Sequence, residues 1–582
     1  MSDTTAALER LRTELVRARF TLDLDDAARA QAVRQATVQQ IDDYILPRLE
    51  NLDAPLLTVV GGSTGAGKST LVNSLVNKVV SPASAIRPTT RHPVLLVSPA
   101  DVAWFSDTRV LPDLARVIRQ EQSSTRAIQT STAPAHLSLV ETSAIPRDIA
   151  VIDAPDIDSV AKDNRALARQ LLAAADLWLF VTTANRYADA AAWNLLDQAA
   201  ARGVTVGVVL NRVPSGAIGE VVADLRAMLD SRALENAPIF VVEETSLDSE
   251  GLLPGSGAGS PTGPDPDATA GITPIRNWLL GIAHDRALRA QIARQTVDGA
   301  IVHVLDSSTF ICEALANQEA FTQDLKDTIQ QKYSAAAEAV ITGAADTTLM
   351  RSEVLARWQD FVGTSDVFRK VESWFGGFRD KVTGWISGTP TPVAQVEEEI
   401  ESGVASVIID RASEASAQTW NAVRATRAGR ELFTDRSLAE PTPDIRERAV
   451  SLVREWQSNV FGLVSRETPG KRRKARALSL GLNTVTVALM LTVFASTGGI
   501  LGGEIAIAGG SAVVGQKMLE TLFGDQAVRK LTEQAAALLE EKVSELFEGQ
   551  ASRFQNQLKI VDEGTSSAEL RDGVRSLRAA KL

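Results

Sequence analysis

The chain has 582 residues, room for several domains of ordinary size, with 60 Lys and Arg against 72 Asp and Glu and a formal net charge of −12. That balance excludes a protein that coats nucleic acid through its overall charge, because duplex affinity leans on neutralising phosphates. A single cysteine, Cys312, excludes a disulfide framework or a Cys-based zinc site within one chain, and the His residues are scattered without metal-ligand spacing.

Residues 1–50 are polar, with Leu8, Leu11, Leu15 and Phe20 at helical spacing. They predict N-terminal helices that pack with a later helical bundle. The opening stretch is charged and helical, and reads as neither a signal nor a transit peptide. Over 51–248 short apolar runs alternate with amphipathic patterns. The runs are LLTVV (56–60), VLLV (94–97), HLSLV (136–140), DIAVIDAP (148–155), LWLFVTT (177–183), VTVGVVLN (204–211) and IFVV (239–242). Strands alternating with helices predict an α/β sheet with mostly parallel strands. Residues 249–272 are rich in Gly, Pro, Ser and Asp, a long loop or a linker. Residues 273–470 read as a helical bundle or stalk, broken at SGTPTPV (387–393). A basic flank and hydrophobic segment follow over 471–516, and 517–582 read as the bundle's C-terminal helices.

The strongest motif is Gly62-Ser63-Thr64-Gly65-Ala66-Gly67-Lys68-Ser69-Thr70, a GxxxxGK[ST] loop between an apolar run and a helical pattern. Glycines in such a loop let backbone N–H groups wrap phosphates. Lys68 supplies a point charge to the β- and γ-phosphates, Ser69 a hydroxyl for Mg²⁺, and the helix N-terminus favours anions. Asp153 ends the DIAVID run, where a P-loop fold needs a carboxylate near the magnesium, reached through water. Arg87-Pro88-Thr89-Thr90-Arg91-His92-Pro93 lies between the loop's helix and the next strand. A hydroxyl there can join the magnesium shell only when the γ-phosphate is present, which makes it a switch.

GSTGAGKSTLVNSL, PTTRHP, VIDAPD, LWLFVTTANRYAD and VVLNR together resemble the G domain of the dynamin superfamily, and more closely bacterial dynamin-like proteins. The resemblance covers 50–245 by motif, and the helical remainder by architecture alone. It implies that Thr90 is the switch-one threonine and a metal ligand, that Asp153 opens the DxPG-like motif, and that Asn211-Arg212 sit at the base-reading position. It implies GTP as substrate, Mg²⁺ as cofactor, and a homodimer or heteromer formed through G domains. Two positions depart from the family pattern. Asp156 replaces a glycine whose N–H contacts the γ-phosphate. Pro214 replaces the aspartate that grips guanine, which removes the usual source of guanine selectivity and leaves ATP open as the substrate.

ALSLGLNTVTVALMLTVFASTGGILGG (477–503) is 27 residues without a charge. As a helix it would be about 40 Å long, enough to cross a hydrocarbon core of roughly 30 Å. KRRKAR (471–476) directly upstream marks a cytoplasmic side and attracts anionic lipid. The segment fits a single span, a hairpin over 477–516 that dips in and returns, or a core helix of the bundle. VFRKVESWFGGFRDKVTGWI (367–386) carries an aromatic stripe that suits bundle core or an interfacial helix.

The expected architecture is therefore an α/β P-loop NTPase domain followed by an elongated α-helical bundle with a membrane-associating hydrophobic helical segment. The expected activity is a GTPase at the cytoplasmic face of a membrane, coupling hydrolysis to remodelling, with lipid and not nucleic acid as partner. The alternatives are a weakly hydrolysing regulatory protein beside a homologous partner, an ATP-using P-loop enzyme, and a scaffold with a vestigial loop.

Overall fold

The structure is a computed structural model that describes residues 3–81, 93–106, 110–111, 114–119, 136–157, 162–232, 234–254, 271–346, 392–467, 488, 491–492, 519–520, 523–561 and 563–580. Eight strands among them form one sheet: β1 (Leu56–Gly62), β2 (Val94–Val97), β3 (Ala115–Arg119), β4 (His136–Glu141), β5 (Ile149–Asp153), β6 (Leu177–Thr183), β7 (Thr205–Val213) and β8 (Ile239–Glu243). All seven apolar runs of the sequence become strands. β3 was not foreseen, because ARVIR is bracketed by arginines. It is an edge strand with Val117 and Ile118 exposed, so it lacks the apolar continuity of a buried strand.

The strand order is β3-β4-β2-β5-β1-β6-β7-β8, parallel throughout except where β2 runs antiparallel to β5. β1 and β5 are buried at every residue, as expected of central strands covered on both faces. Because β1 lies between β5 and β6, the C-terminal ends of three parallel strands come to one edge. Val60 pairs with Asp153, Gly62 with Val181, and Thr183 of β6 with Asn211 of β7. Ligands of open α/β sheets bind at such an edge.

The chain divides into two packed units, one made of 1–19, 28–316 and 564–582, the other of 20–27 and 317–563. In the first, Leu56, Val60, Val151, Leu179 and Val209 of the sheet share a core with Ile275, Leu279 and Ile282 of helix Thr273–His284. Helices Asp3–Arg17 and Ser567–Ala580 pack on each other within this unit. Leu8, Leu11 and Leu15 are fully buried, as are Leu570 and Leu577, and Gly573 lies against Leu11. Thr4 Oγ1 donates to the Ala580 carbonyl at 2.8 Å and Thr565 Oγ1 to Glu14 at 2.5 Å. Ser566 and Glu569 form a reciprocal capping box at the start of the last helix. Sequence reasoning sets 1–50 and 517–582 with the helical bundle, whereas 1–19, 28–50 and 564–582 pack in the sheet's unit. An amphipathic stripe declares that it needs an apolar partner, but not which one.

The second unit is helical. Helices Pro392–Val423, Ile445–Glu467 and Asp525–Leu558 and the later part of helix Arg286–Asp346 enclose Ile329, Tyr333, Phe433, Trp456, Phe547 and Phe554. Tyr333 meets Phe554 at 6.1 Å in a tilted pair and Phe547 at 6.5 Å edge-on, between ring centroids, and the edge-on pair suits aromatic quadrupoles. The Trp456 indole donates to the Ala535 carbonyl at 2.7 Å. Ala488, Leu491 and Leu519 belong to this core. Apart from Ala488, Leu491 and Thr492, segment 477–516 lies outside the described residues, as do the basic run 471–476 and the aromatic stripe 367–386. Among the described residues one helix, within 286–342, is long and apolar enough to cross a membrane by length and composition, and half of its most apolar window is buried in the protein.

Candidate nucleotide-binding site

β1 ends at Gly62 and the chain turns through Ser63–Gly67 into helix Lys68–Leu75. Gly62, Gly65 and Gly67 have φ of 148°, 77° and 92°, a region that L-residues with side chains rarely adopt. At Gly67, which caps the helix, a Cβ would also stand 2.4 Å from the Asn211 amide nitrogen. The turn is therefore built for close approach of backbone, as a phosphate cradle requires. Ser63 and Ala66 are buried, and Thr64, Gly65, Ser69 and Thr70 are half-buried.

Lys68 is buried, and its ammonium donates to the Gly62 carbonyl at 3.1 Å and the Ser63 carbonyl at 3.2 Å. It also forms an ion pair with Asp156, from the segment that follows β5. Ser69 Oγ donates to Asp153 Oδ2 at 2.6 Å, and Ser81 Oγ donates to the same oxygen at 2.5 Å. Asn73 holds that second hydroxyl in place: its carbonyl accepts from the N–H groups of Val80 and Ser81 at 2.9 Å each, and its amide donates to the Ser81 carbonyl at 2.8 Å. Asp153 is fully buried. Burial pushes its carboxyl above the usual range, and the two hydroxyls and Lys68 only partly oppose this.

The site thus brings together Lys68, Ser69 and Asp153. Thr90 and the rest of Arg87–His92 lie outside the described residues. Asn211 is buried at the end of β7, where its amide donates to the Ala66 carbonyl at 2.7 Å and its Oδ1 accepts from the Arg212 N–H at 3.0 Å. In this structure its side chain braces the Ser63–Gly67 loop. Arg212 sits in a register shift of β7 against β8, exposed and with φ of 56°, and Pro214 follows on the surface. Sequence reasoning missed three contributors. Arg186, after β6, donates to the Thr64 carbonyl at 3.0 Å and pairs with Asp189 at 3.3 Å. The other two are Ser81 and Asn73. Their only sequence signal is position, beside a strand end or just past the helix, and that signal acquires meaning only once strand order is known.

The cradle and donors fit Mg²⁺ with a phosphate chain. Asp153 Oδ1 is buried with no hydrogen-bond partner among the described residues, an acceptor left over beside a hydroxyl. A neutral core would not leave such an atom there.

Residues 58–213 match the family model of the Dynamin family. From β1 to β7 the sheet domain is thus similar to the G domain of the Dynamin family. Two solved chains of an oligomerised bacterial dynamin pair, described as providing a mechanism for the long-range sensing and tethering of membranes, align at 11% identity over 97% of this chain and 96% of theirs, with TM-scores of 0.37 and 0.36. LeoA, a bacterial dynamin GTPase from ETEC, aligns at 12% identity over 99% of this chain and 96% of its own, with a TM-score of 0.21. Among curated proteins none matches the chain. The dynamin family match ends at β7, so β8 and the helical unit lie beyond it.

Proposed function

We propose that the protein is a dynamin-like GTPase that binds and hydrolyses Mg²⁺-GTP in its G domain and couples this to membrane binding and remodelling. The observation that carries the reading is the convergence of Lys68, Ser69 and Asp153 at one sheet edge, around a loop whose glycines hold positive φ and lie close against Val181 and Asn211. Lys68 would hold the phosphates by charge, and the loop N–H groups would orient them. Ser69 and Asp153 would hold Mg²⁺, whose charge offsets that of the β- and γ-phosphates. Thr90 would add its hydroxyl when the terminal phosphate is present. Asn211 keeps the loop in shape, and Arg212 lies on the base side. Guanine is the choice that the similarity to the Dynamin family supports. Pro214 leaves adenine as the competitor.

Lipid contact is assigned to 471–516, on the warrant of its basic flank and uncharged length. Ala488, Leu491 and Thr492 are buried in the helical unit, so insertion of this segment requires that they leave their packing. G domains would pair across the nucleotide, with a second copy or a homologue. A slowly hydrolysing member of such a pair is the second reading, favoured by the carboxylate of Asp156 on Lys68.

Lys68→Ala tests the reading. It should lower GTP affinity at least about a hundredfold and abolish turnover, read by fluorescent-nucleotide titration and phosphate release, with ATP in competition. Unchanged binding and turnover in that variant would overturn it.

A further inference from the structure

We propose that Asp156 takes the place of a terminal phosphate on Lys68, so that this loop favours nucleoside diphosphates over triphosphates. The inference rests on the nucleotide-binding reading above and concerns the selectivity of the same site. An ammonium has three N–H donors. All three on Lys68 have acceptors within the chain: the carbonyls of Gly62 and Ser63, and the carboxylate of Asp156. The ion pair is largely withdrawn from water, with side-chain exposures of 5% for Lys68 and 18% for Asp156. Charges placed so are weakly screened, and removing one partner leaves the other uncompensated.

A diphosphate and a triphosphate therefore meet different sites. A β-phosphate can take an N–H that now goes to a loop carbonyl, while Asp156 stays on Lys68 as the third acceptor. A γ-phosphate brings further negative charge to the ammonium that Asp156 already holds. Either the two anions stand side by side, or Asp156 swings out and the buried pair is lost. Asp153, fully buried at the end of β5, adds to the negative charge near Lys68. Arg186 is not a substitute counter-charge, because it is engaged with Thr64 and Asp189.

The test is a titration of the full chain with fluorescent guanine and adenine diphosphates and their non-hydrolysable triphosphate analogues, at fixed Mg²⁺, for wild type, Asp156→Asn and Asp156→Gly. Wild type should bind the diphosphate more tightly. Both variants should move the affinity ratio toward the triphosphate by about tenfold or more, which is about 1.4 kcal/mol. Equal shifts in the two variants assign the effect to the charge. A ratio within threefold of wild type in both variants overturns the proposal. So does a wild type that binds the triphosphate more tightly, a measurement that decides even where the variants fail to fold. A wild type that binds no nucleotide at all overturns the nucleotide-binding reading itself.

Discussion

Asp153 carries the sharpest conflict between folding and chemistry. A carboxylate buried at the end of β5 is held by two serine hydroxyls, yet one of its oxygens has no partner among the described residues. Its pKa is raised above 3.8 by burial. The protonated form is therefore the one that folding favours. Its contribution to stability is complete below the unfolded pKa and is lost as pH rises through the folded one, so at neutral pH the charge burdens the fold. Asp153→Asn removes that charge and keeps an acceptor for the hydroxyls. We expect it to raise the stability of the nucleotide-free chain by about 1 kcal/mol, seen as a higher thermal midpoint, and to flatten the loss of stability between acid and neutral pH. The same variant should lose Mg²⁺-dependent nucleotide affinity. A lower midpoint together with unchanged Mg²⁺ dependence would mean that Asp153 is a structural residue.

The Ser63–Gly67 loop is a short turn whose shape depends on elements far from it in the chain. Asn211 from β7 and Arg186 from the segment after β6 each donate to one of its carbonyls. Gly67 is the point where that bracing leaves no space. Gly67→Ala would force a side chain into a φ of 92° and against the Asn211 amide. The expected loss is about 1–2 kcal/mol of stability, because strain at positive φ adds to the displaced hydrogen bond. Nucleotide affinity should fall further, by tenfold or more, because the loop must move to admit the methyl group. Equilibrium titration and thermal unfolding of the same preparation measure the two effects. Affinity that holds while stability drops would show that the loop relaxes without losing its cradle.

The two ends of the chain close on each other within the unit that holds the sheet. Leu11 is fully buried between helices Asp3–Arg17 and Ser567–Ala580, facing Gly573. Leu11→Ala should cost about 2–4 kcal/mol through lost burial and the cavity left behind. Hydrogen exchange should then accelerate in 3–17 and 567–580, and not in the helical unit's core around Trp456 and Phe554. Faster exchange spread evenly over both units would mean that they unfold as one. Chain continuity ties them together: Phe20–Ala27 leaves the first unit for the second and returns, and helix Arg286–Asp346 contributes to both.

Residues contiguous in the chain carried most of what could be read beforehand. Seven apolar runs became strands, the GxxxxGKS turn was legible as a loop between a strand and a helix, and Asp153 was legible as a carboxylate at a strand end. These features depend on backbone preferences and side-chain periodicity over a dozen residues or fewer, which local sequence encodes. Partnerships between distant segments were not legible. They include the antiparallel pairing of β2 with β5, the hydroxyl of Ser81 on Asp153, the grip of Arg186 on Thr64, and the union of the terminal helices. The same holds for Asp156. Sequence made it a carboxylate facing like charge, and folding set it against the ammonium of Lys68. Which of many possible ion pairs forms is settled by the packing of the whole sheet, because one strand's neighbours decide what stands within reach of its end.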